Sequence, residues 1–172
     1  MKGTILIAAL AAALAGCGTM GMGGKATAVA NLEPTTGNTA RGTVTFINEG
    51  AHVRVSANVS GLKPGAEHAF HVHDKGDCSS RDGMSTGGHF NPSNNPHGPQ
   101  SAPHHAGDMP SLVADSYGNA NASFTLRGVS IGGPEADLVG KGLIVHRDPD
   151  DYKTQPTGNA GPRIACAVIK KG

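Results

Sequence analysis

His52-Val53-Arg54-Val55-Ser56 alternates polar and apolar side chains with a period of two. Successive side chains on an extended strand leave opposite faces, so this stretch reads as a strand with one buried and one wet face. Working outward, alternation or β-branched content marks further strands at residues 25–32, 42–48, 67–73, 111–115, 120–126, 142–147 and 163–170, with the first stretch extended to 52–59. Asn48-Glu49-Gly50, Lys63-Pro64-Gly65 and Tyr117-Gly118-Asn119 supply turns between them. No segment of helical length carries a 3.6-residue apolar stripe. Eight short strands with such turns predict an all-β chain, an eight-stranded antiparallel Greek-key β-sandwich or barrel.

Composition agrees with one turn-rich domain and sets a puzzle. Leu, Ile, Val and Phe supply only 31 of 172 residues, with no Trp and two Tyr. So little core material signals disorder only when joined to high net charge, and the formal charge is +1. Twenty-six Gly and eleven Pro disfavour a helical bundle. Nine His stand against fourteen Lys and Arg, a heavy share for the commonest metal-binding side chain.

Two connections are too long to be idle. Residues 74–110 have almost no apolar periodicity, yet they carry Cys78, His89, His97, His104, His105 and Asp108. Residues 148–162 carry Asp150, Asp151 and Lys153 and end in a Gly-rich run. His71 and His73 flank Val72 in a strand, so both imidazoles project from one face, and His146 ends another strand. Three imidazoles with a fourth from the long loop suit copper, whose divalent ion favours nitrogen ligands in a tetragonal arrangement. His97, His105 and Asp108 with one more imidazole form an N3O set suited to tetrahedral zinc. Taken singly, His-x-His in a strand is more often a surface pair, and a His-rich loop can be a nonspecific metal tract.

The N-terminus reads as an address. Lys2 precedes an uncharged apolar run of eleven residues, too short for a bilayer span of about 20 residues, and Leu14-Ala15-Gly16-Cys17 closes it. That closing motif resembles the lipobox of bacterial lipoproteins, which implies cleavage before Cys17 and its acylation. The alternative is an ordinary secretory signal with an incidental Cys. Residues 1–17 are thus a signal, 18–24 a flexible tether and 25–172 the domain. Gly18 after Cys17 resembles the pattern sorted to the outer membrane, which places the protein on the periplasmic face of the envelope. A membrane is met only through the lipid anchor at Cys17. Without Lys2 the chain balances 13 basic against 13 acidic residues, which argues against nucleic acid as a partner.

Several motifs together carry a further resemblance. Gly65-Ala66-Glu67-His68-Ala69-Phe70-His71-Val72-His73, Gly76-Asp77-Cys78, Gly88-His89-Phe90-Asn91-Pro92, His97-Gly98, His105-Ala106-Gly107-Asp108 and Gly158-Asn159-Ala160-Gly161-Pro162-Arg163-Ile164-Ala165-Cys166 follow in order, within a match that runs from about Lys25 to the C-terminus, some 145 residues. They resemble the copper/zinc superoxide dismutase family, with the placement of Cys78 similar to bacterial members. The resemblance implies one copper per subunit, held by His71, His73, His89 and His146. It implies one zinc per subunit, held by His89, His97, His105 and Asp108, with His89 shared as an imidazolate. It further implies a disulfide between Cys78 and Cys166, an Arg163 that meets the anionic substrate, and an Asp150 that links a copper His to a zinc His from behind. Asp74 stands where many members have Glu, and Met109-Pro110 where Leu is common; neither change removes a ligand.

The activity so implied converts two superoxide anions and two protons to dioxygen and hydrogen peroxide by alternating Cu(II)/Cu(I) redox, with His89 and Arg163 as catalytic residues. The alternative is a noncatalytic copper/zinc-binding envelope lipoprotein, which would have no need of Arg163 or Asp150. His68 is expected to bond backbone, His104 to be a solvated neighbour of His105, and His52 to be an exposed strand residue. The assembly is expected to be a monomer or a homodimer.

Overall fold

A computed structural model of the chain describes residues 25–172, so the signal, Cys17 and the 18–24 tether lie outside the described residues. Ten strands run β1 Thr27–Pro34, β2 Arg41–Asn48, β3 Val53–Ser60, β4 Glu67–His68, β5 Phe70–His73, β6 Leu112–Val113, β7 Ala120–Leu126, β8 Gly142–His146, β9 Arg163–Val168 and β10 Lys170–Lys171. Eight of them form one antiparallel sheet in the order β5-β8-β9-β1-β2-β3-β7, with β10 also on β1; β4 and β6 pair separately. β1 is the hinge of the curl. Its residues Thr27 to Leu32 pair with β2, while Glu33 and Pro34 turn to Cys166 and Ala165 of β9. After the β1-β2-β3 meander the chain crosses to the far edge as β5, returns as β7 beside β3, and crosses again to β8. These crossings are the expected Greek-key connectivity.

Two sequence-predicted strands are each divided. The 67–73 segment breaks at Ala69, whose N–H donates to Asp148 O at 2.9 Å and whose carbonyl accepts from His146 N at 2.9 Å, so the chain changes partners there from β6 to β8. The last segment breaks at Ile169, which bonds to Gly140 and Lys141. The first strand starts two residues later than expected and runs to Pro34. His52 precedes β3 rather than joining it, half-buried with its ring 3.3 Å from Glu49. Within the 74–110 connection, Met84–Thr86 form a single 3-10 turn.

Alternation decides what each face meets. On β3, Val53, Val55, Ala57 and Val59 point into the core and Arg54 and Asn58 into water. On β5, Phe70 and Val72 enter the core, so His71 and His73 occupy the opposite face; on β8, Leu143 and Val145 enter it. Yet β5 and β8 are buried on both faces. The second cover is the long loop, which also closes the free edge of β5: Val72 N donates to Gly107 O at 2.9 Å and Phe90 N to Val72 O at 2.8 Å. Gly107 lies so close that a β-carbon there would collide with Val72 O. Cys78 and Cys166 are joined by a disulfide that fastens the same loop to β9, 88 residues away in sequence.

Candidate metal centre

Strand geometry and loop closure bring seven residues into two buried donor sets. His71, His73, His89 and His146 form one, and His89, His97, His105 and Asp108 the other; within each, the donor atoms lie within 4.8 Å of one another. His71 and His73 come from β5, His146 from the end of β8, and the remaining four from the loop. His89 and Asp108 are drawn in by isolated bridges to His73 and His71. His89 belongs to both sets.

The outward nitrogens are held by the protein. His71 Nε2 donates to Asp150 Oδ2 at 2.7 Å, and His97 Nε2 to Asp150 Oδ1 at 2.9 Å. His73 Nδ1 donates to Gly87 O at 2.9 Å and His146 Nδ1 to Gly161 O at 3.2 Å. Such bonds fix tautomer and ring orientation from behind. Of the inward nitrogens, only His89 Nδ1 is hydrogen-bonded to a carboxylate, Asp108 Oδ1 at 2.8 Å, itself a member of the second set. His71 Nδ1, His89 Nε2 and His97 Nδ1 are buried without a hydrogen bond. His73 Nε2 meets only His146 Nε2 at 3.4 Å, and His105 Nδ1 faces His89 Nδ1 at 3.4 Å. His97 Nδ1 is 3.0 Å from Asp108 Oδ2 but is not aligned for a hydrogen bond. Buried polar atoms are seldom left unpaired, and lone pairs converging on a common centre are what a cation needs. The residues present therefore fit two ions, one in an all-imidazole set and one in an N3O set.

Electrostatics favours the same charge states. Burial pushes His71 down to about 4, against the opposing bond from Asp150. It drives His73 and His146 well below the ordinary imidazole range, and neighbouring imidazoles add to the effect. Neutral imidazole is the ligating form. Burial would also raise Asp108 and Asp150, but imidazole hydrogen bonds hold both well below the ordinary carboxylate range. His97 goes the other way. Burial opposes its charge, yet its two carboxylate neighbours push it up to about 9 in the metal-free chain.

Arg163, half-buried at the start of β9, is locked by three acceptors. Nη1 donates to Gly83 O at 2.8 Å and to Thr86 Oγ1 at 2.7 Å, and Nη2 to Gly87 O at 2.7 Å. The Gly87 carbonyl thus holds both Arg163 and His73. Asp150 is itself fixed by the Tyr152 N–H at 2.7 Å. Gly158, at φ +66°, packs so tightly on the Asp150–His97 pair that a β-carbon would strike both. His68 Nδ1 donates to the His146 carbonyl at 2.9 Å, and His104 lies outside both donor sets. Thr86 was not legible as a site residue, and neither was Gln155, whose side-chain amide clamps the backbone N–H and C=O of His97 at 2.8 and 2.9 Å. Both lie in polar loops where one sequence gives no periodic signal.

Residues 40–169 match the family model for copper/zinc superoxide dismutase. A relative named superoxide dismutase [Cu-Zn] from Paramecium bursaria Chlorella virus 1 is 41% identical over 137 residues, covering 75% of this chain and 72% of that protein. Superoxide dismutase [Cu-Zn] 2 from Aquifex aeolicus is 40% identical over 136 residues, 75% of this chain and 78% of that one. Among solved structures, a double mutant of a SOD-like protein from Bacillus subtilis superposes with a TM-score of 0.75 at 32% identity, covering 83% of this chain and 96% of its own. The clock protein EA4 gives a TM-score of 0.75 at 36% identity, over 85% and 94% of the two chains.

Proposed function

The chain belongs to the copper/zinc superoxide dismutase family, whose members use copper and zinc, and from that premise we propose that it converts two superoxide anions and two protons to dioxygen and hydrogen peroxide. The observation that carries this reading is the pairing of two donor sets through one imidazole, His89, with a locked guanidinium, Arg163, whose carbonyl partner Gly87 also holds His73. His71, His73, His89 and His146 would hold copper; His89, His97, His105 and Asp108 would hold zinc. Copper supplies one-electron redox chemistry between Cu(II) and Cu(I), and zinc supplies fixed positive charge without redox. Arg163 receives the small anion. Gly83, Thr86 and Gly87 occupy three of its five N–H groups, which leaves Nε–H and one Nη2–H for a diatomic oxygen anion. His89 Nε2, buried and free of protein partners, is the nitrogen at which a proton is held for the reduced product. Asp150 orients one imidazole of each set at once.

Purified protein should carry one copper and one zinc per chain, consume superoxide, lose that activity on chelation and regain it on return of both metals. Arg163→Ala should slow superoxide decay and flatten its salt dependence with copper content intact. Bound metals without superoxide decay would instead favour a noncatalytic copper- and zinc-binding lipoprotein. Export is carried by the 1–17 signal. Acylation at Cys17 would tether domain 25–172 to the periplasmic side of the outer membrane through residues 18–24, a reading the intact mass of membrane-extracted protein tests directly.

A further inference from the structure

We infer that Thr86 is a positioning residue for Arg163: its buried hydroxyl fixes where the guanidinium lies and therefore how tightly the site binds a small anion. Thr86 is fully buried and sits at the end of the 3-10 turn Met84–Thr86. Its hydroxyl donates to Gly83 O at 2.9 Å and accepts from Arg163 Nη1 at 2.7 Å. One small side chain thus completes a ring of three groups, the Gly83 carbonyl, the Thr86 hydroxyl and the guanidinium. The ring cannot drift. Thr86 O accepts from Lys75 N at 2.9 Å, just beyond β5, and the methyl side of Thr86 packs where a β-carbon on Gly142 of β8 would collide with it. The hydroxyl is therefore referenced to the same two strands that present His71, His73 and His146.

The backbone alone does not fix the arginine. Carbonyls of Gly83 and Gly87 each accept one N–H, and two such bonds leave the guanidinium plane free to pivot about the line joining them. The Thr86 contact adds a third point, which defines the plane and the direction of the free Nε–H and Nη2–H groups. Among the described residues, Asp82 is the charged neighbour that acts most on Arg163, and it is exposed.

The inference rests on the catalytic reading only for what the free N–H groups of Arg163 receive, so azide is the probe of choice. Azide binding to the copper(II) form, followed by its absorbance change, reports the anion site without turnover. Thr86→Val keeps the shape and removes the hydroxyl. Its dissociation constant for azide should rise about three- to tenfold, the loss expected for one net hydrogen bond, and the salt slope of superoxide decay should flatten with it. Copper and zinc content should be unchanged. Thr86→Ser should restore azide affinity to within about twofold. In the metal-free protein, separate Arg163 side-chain 15N–H signals should be seen in the parent and averaged signals in Thr86→Val. Unchanged azide affinity in a fully metallated Thr86→Val protein would overturn the inference, as would a Ser variant no better than Val. If Val disturbs metal content, the Ser comparison and the arginine signals decide alone. A parent protein that binds azide but leaves superoxide intact would sink the catalytic reading and leave this one standing.

Discussion

Asp150→Asn should separate the two metal sites. The Oδ1 position receives two donors, the Tyr152 N–H at 2.7 Å and His97 Nε2–H at 2.9 Å, whereas Oδ2 receives only His71 Nε2–H at 2.7 Å. An asparagine of the same shape has one oxygen, and two donors hold it at the Oδ1 position. Its NH2 then faces His71 Nε2–H, donor against donor. His71 escapes the clash only by moving its proton to Nδ1, the nitrogen otherwise free and turned inward, and a protonated nitrogen cannot ligate. The variant should therefore lose copper affinity by about 10- to 100-fold, roughly 1.4 to 2.8 kcal/mol, the usual scale for losing an outer-sphere partner. Zinc affinity should change by no more than about threefold, because His97 keeps its acceptor. Graded chelator competition with plasma mass spectrometry of each metal measures both. Asp150→Ala is the reference, since it releases His71 and His97 together and should weaken both sites. The reasoning fails if Asn loses zinc while copper is retained, because the amide would then have turned against the Tyr152 bond, or if neither metal is affected.

Gly158→Ala should lower zinc content and melting temperature together, because the new β-carbon strikes Asp150 and His97 at a left-handed φ. Gly140→Ala carries the same backbone strain, about 1 to 2 kcal/mol, but meets nothing within 4 Å, so it should cost stability and spare the metals. Replacing Cys78 and Cys166 by Ser opens an 88-residue loop, for which chain entropy gives roughly 4 to 5 kcal/mol; a urea midpoint that barely moves would contradict that account. Stripping both metals should lower the melting temperature markedly, since the two donor sets are assembled by the fold. The metal-free protein should also become less stable at alkaline pH. His97 is raised from the ordinary imidazole value to about 9 in the folded chain, so its contribution is complete below pH about 6.5 and is lost as pH rises through 9. Urea midpoints at pH 6, 8 and 10 test this, and a slope equal to that of the metallated protein would refute it.

Much of this was legible in single residues. Val53, Val55 and Val59 announce β3 because alternate burial is a local signal, and His71 with His73 announce one face of β5 by the same rule. The break at Ala69 was not legible, because the change of partner is made by Asp148 and His146, nearly eighty residues away. The long loop showed its donors but not its shape. Nothing periodic marks the 3-10 turn, the hydroxyl of Thr86 or the amide of Gln155. The Thr86 hydroxyl and the Gln155 amide act through directed hydrogen bonds to Arg163 and His97, 77 and 58 residues off.

The thin core explains why so much rests on that loop. Five of the 31 large apolar residues fall within residues 1–17, leaving 26 for the remainder. The curled sheet spends them almost wholly on its inner face. The 37 residues of the long loop contribute little beyond Phe90 and Met109 to the core cluster. The outer faces of β5 and β8 are nonetheless buried, and what buries them is six imidazoles, two carboxylates and backbone, closed by the disulfide to β9. Apolar area cannot hold such a layer, because three of its inward nitrogens, His71 Nδ1, His89 Nε2 and His97 Nδ1, are buried without a hydrogen-bond partner. Binding and cohesion are therefore carried by the same atoms. A substitution that merely loosens the loop should show first as metal loss, and one that removes a ligand should show first as a softer loop. Amide exchange across residues 74–110, compared with and without the ions, would tell the two apart, and equal protection in both states would contradict the argument.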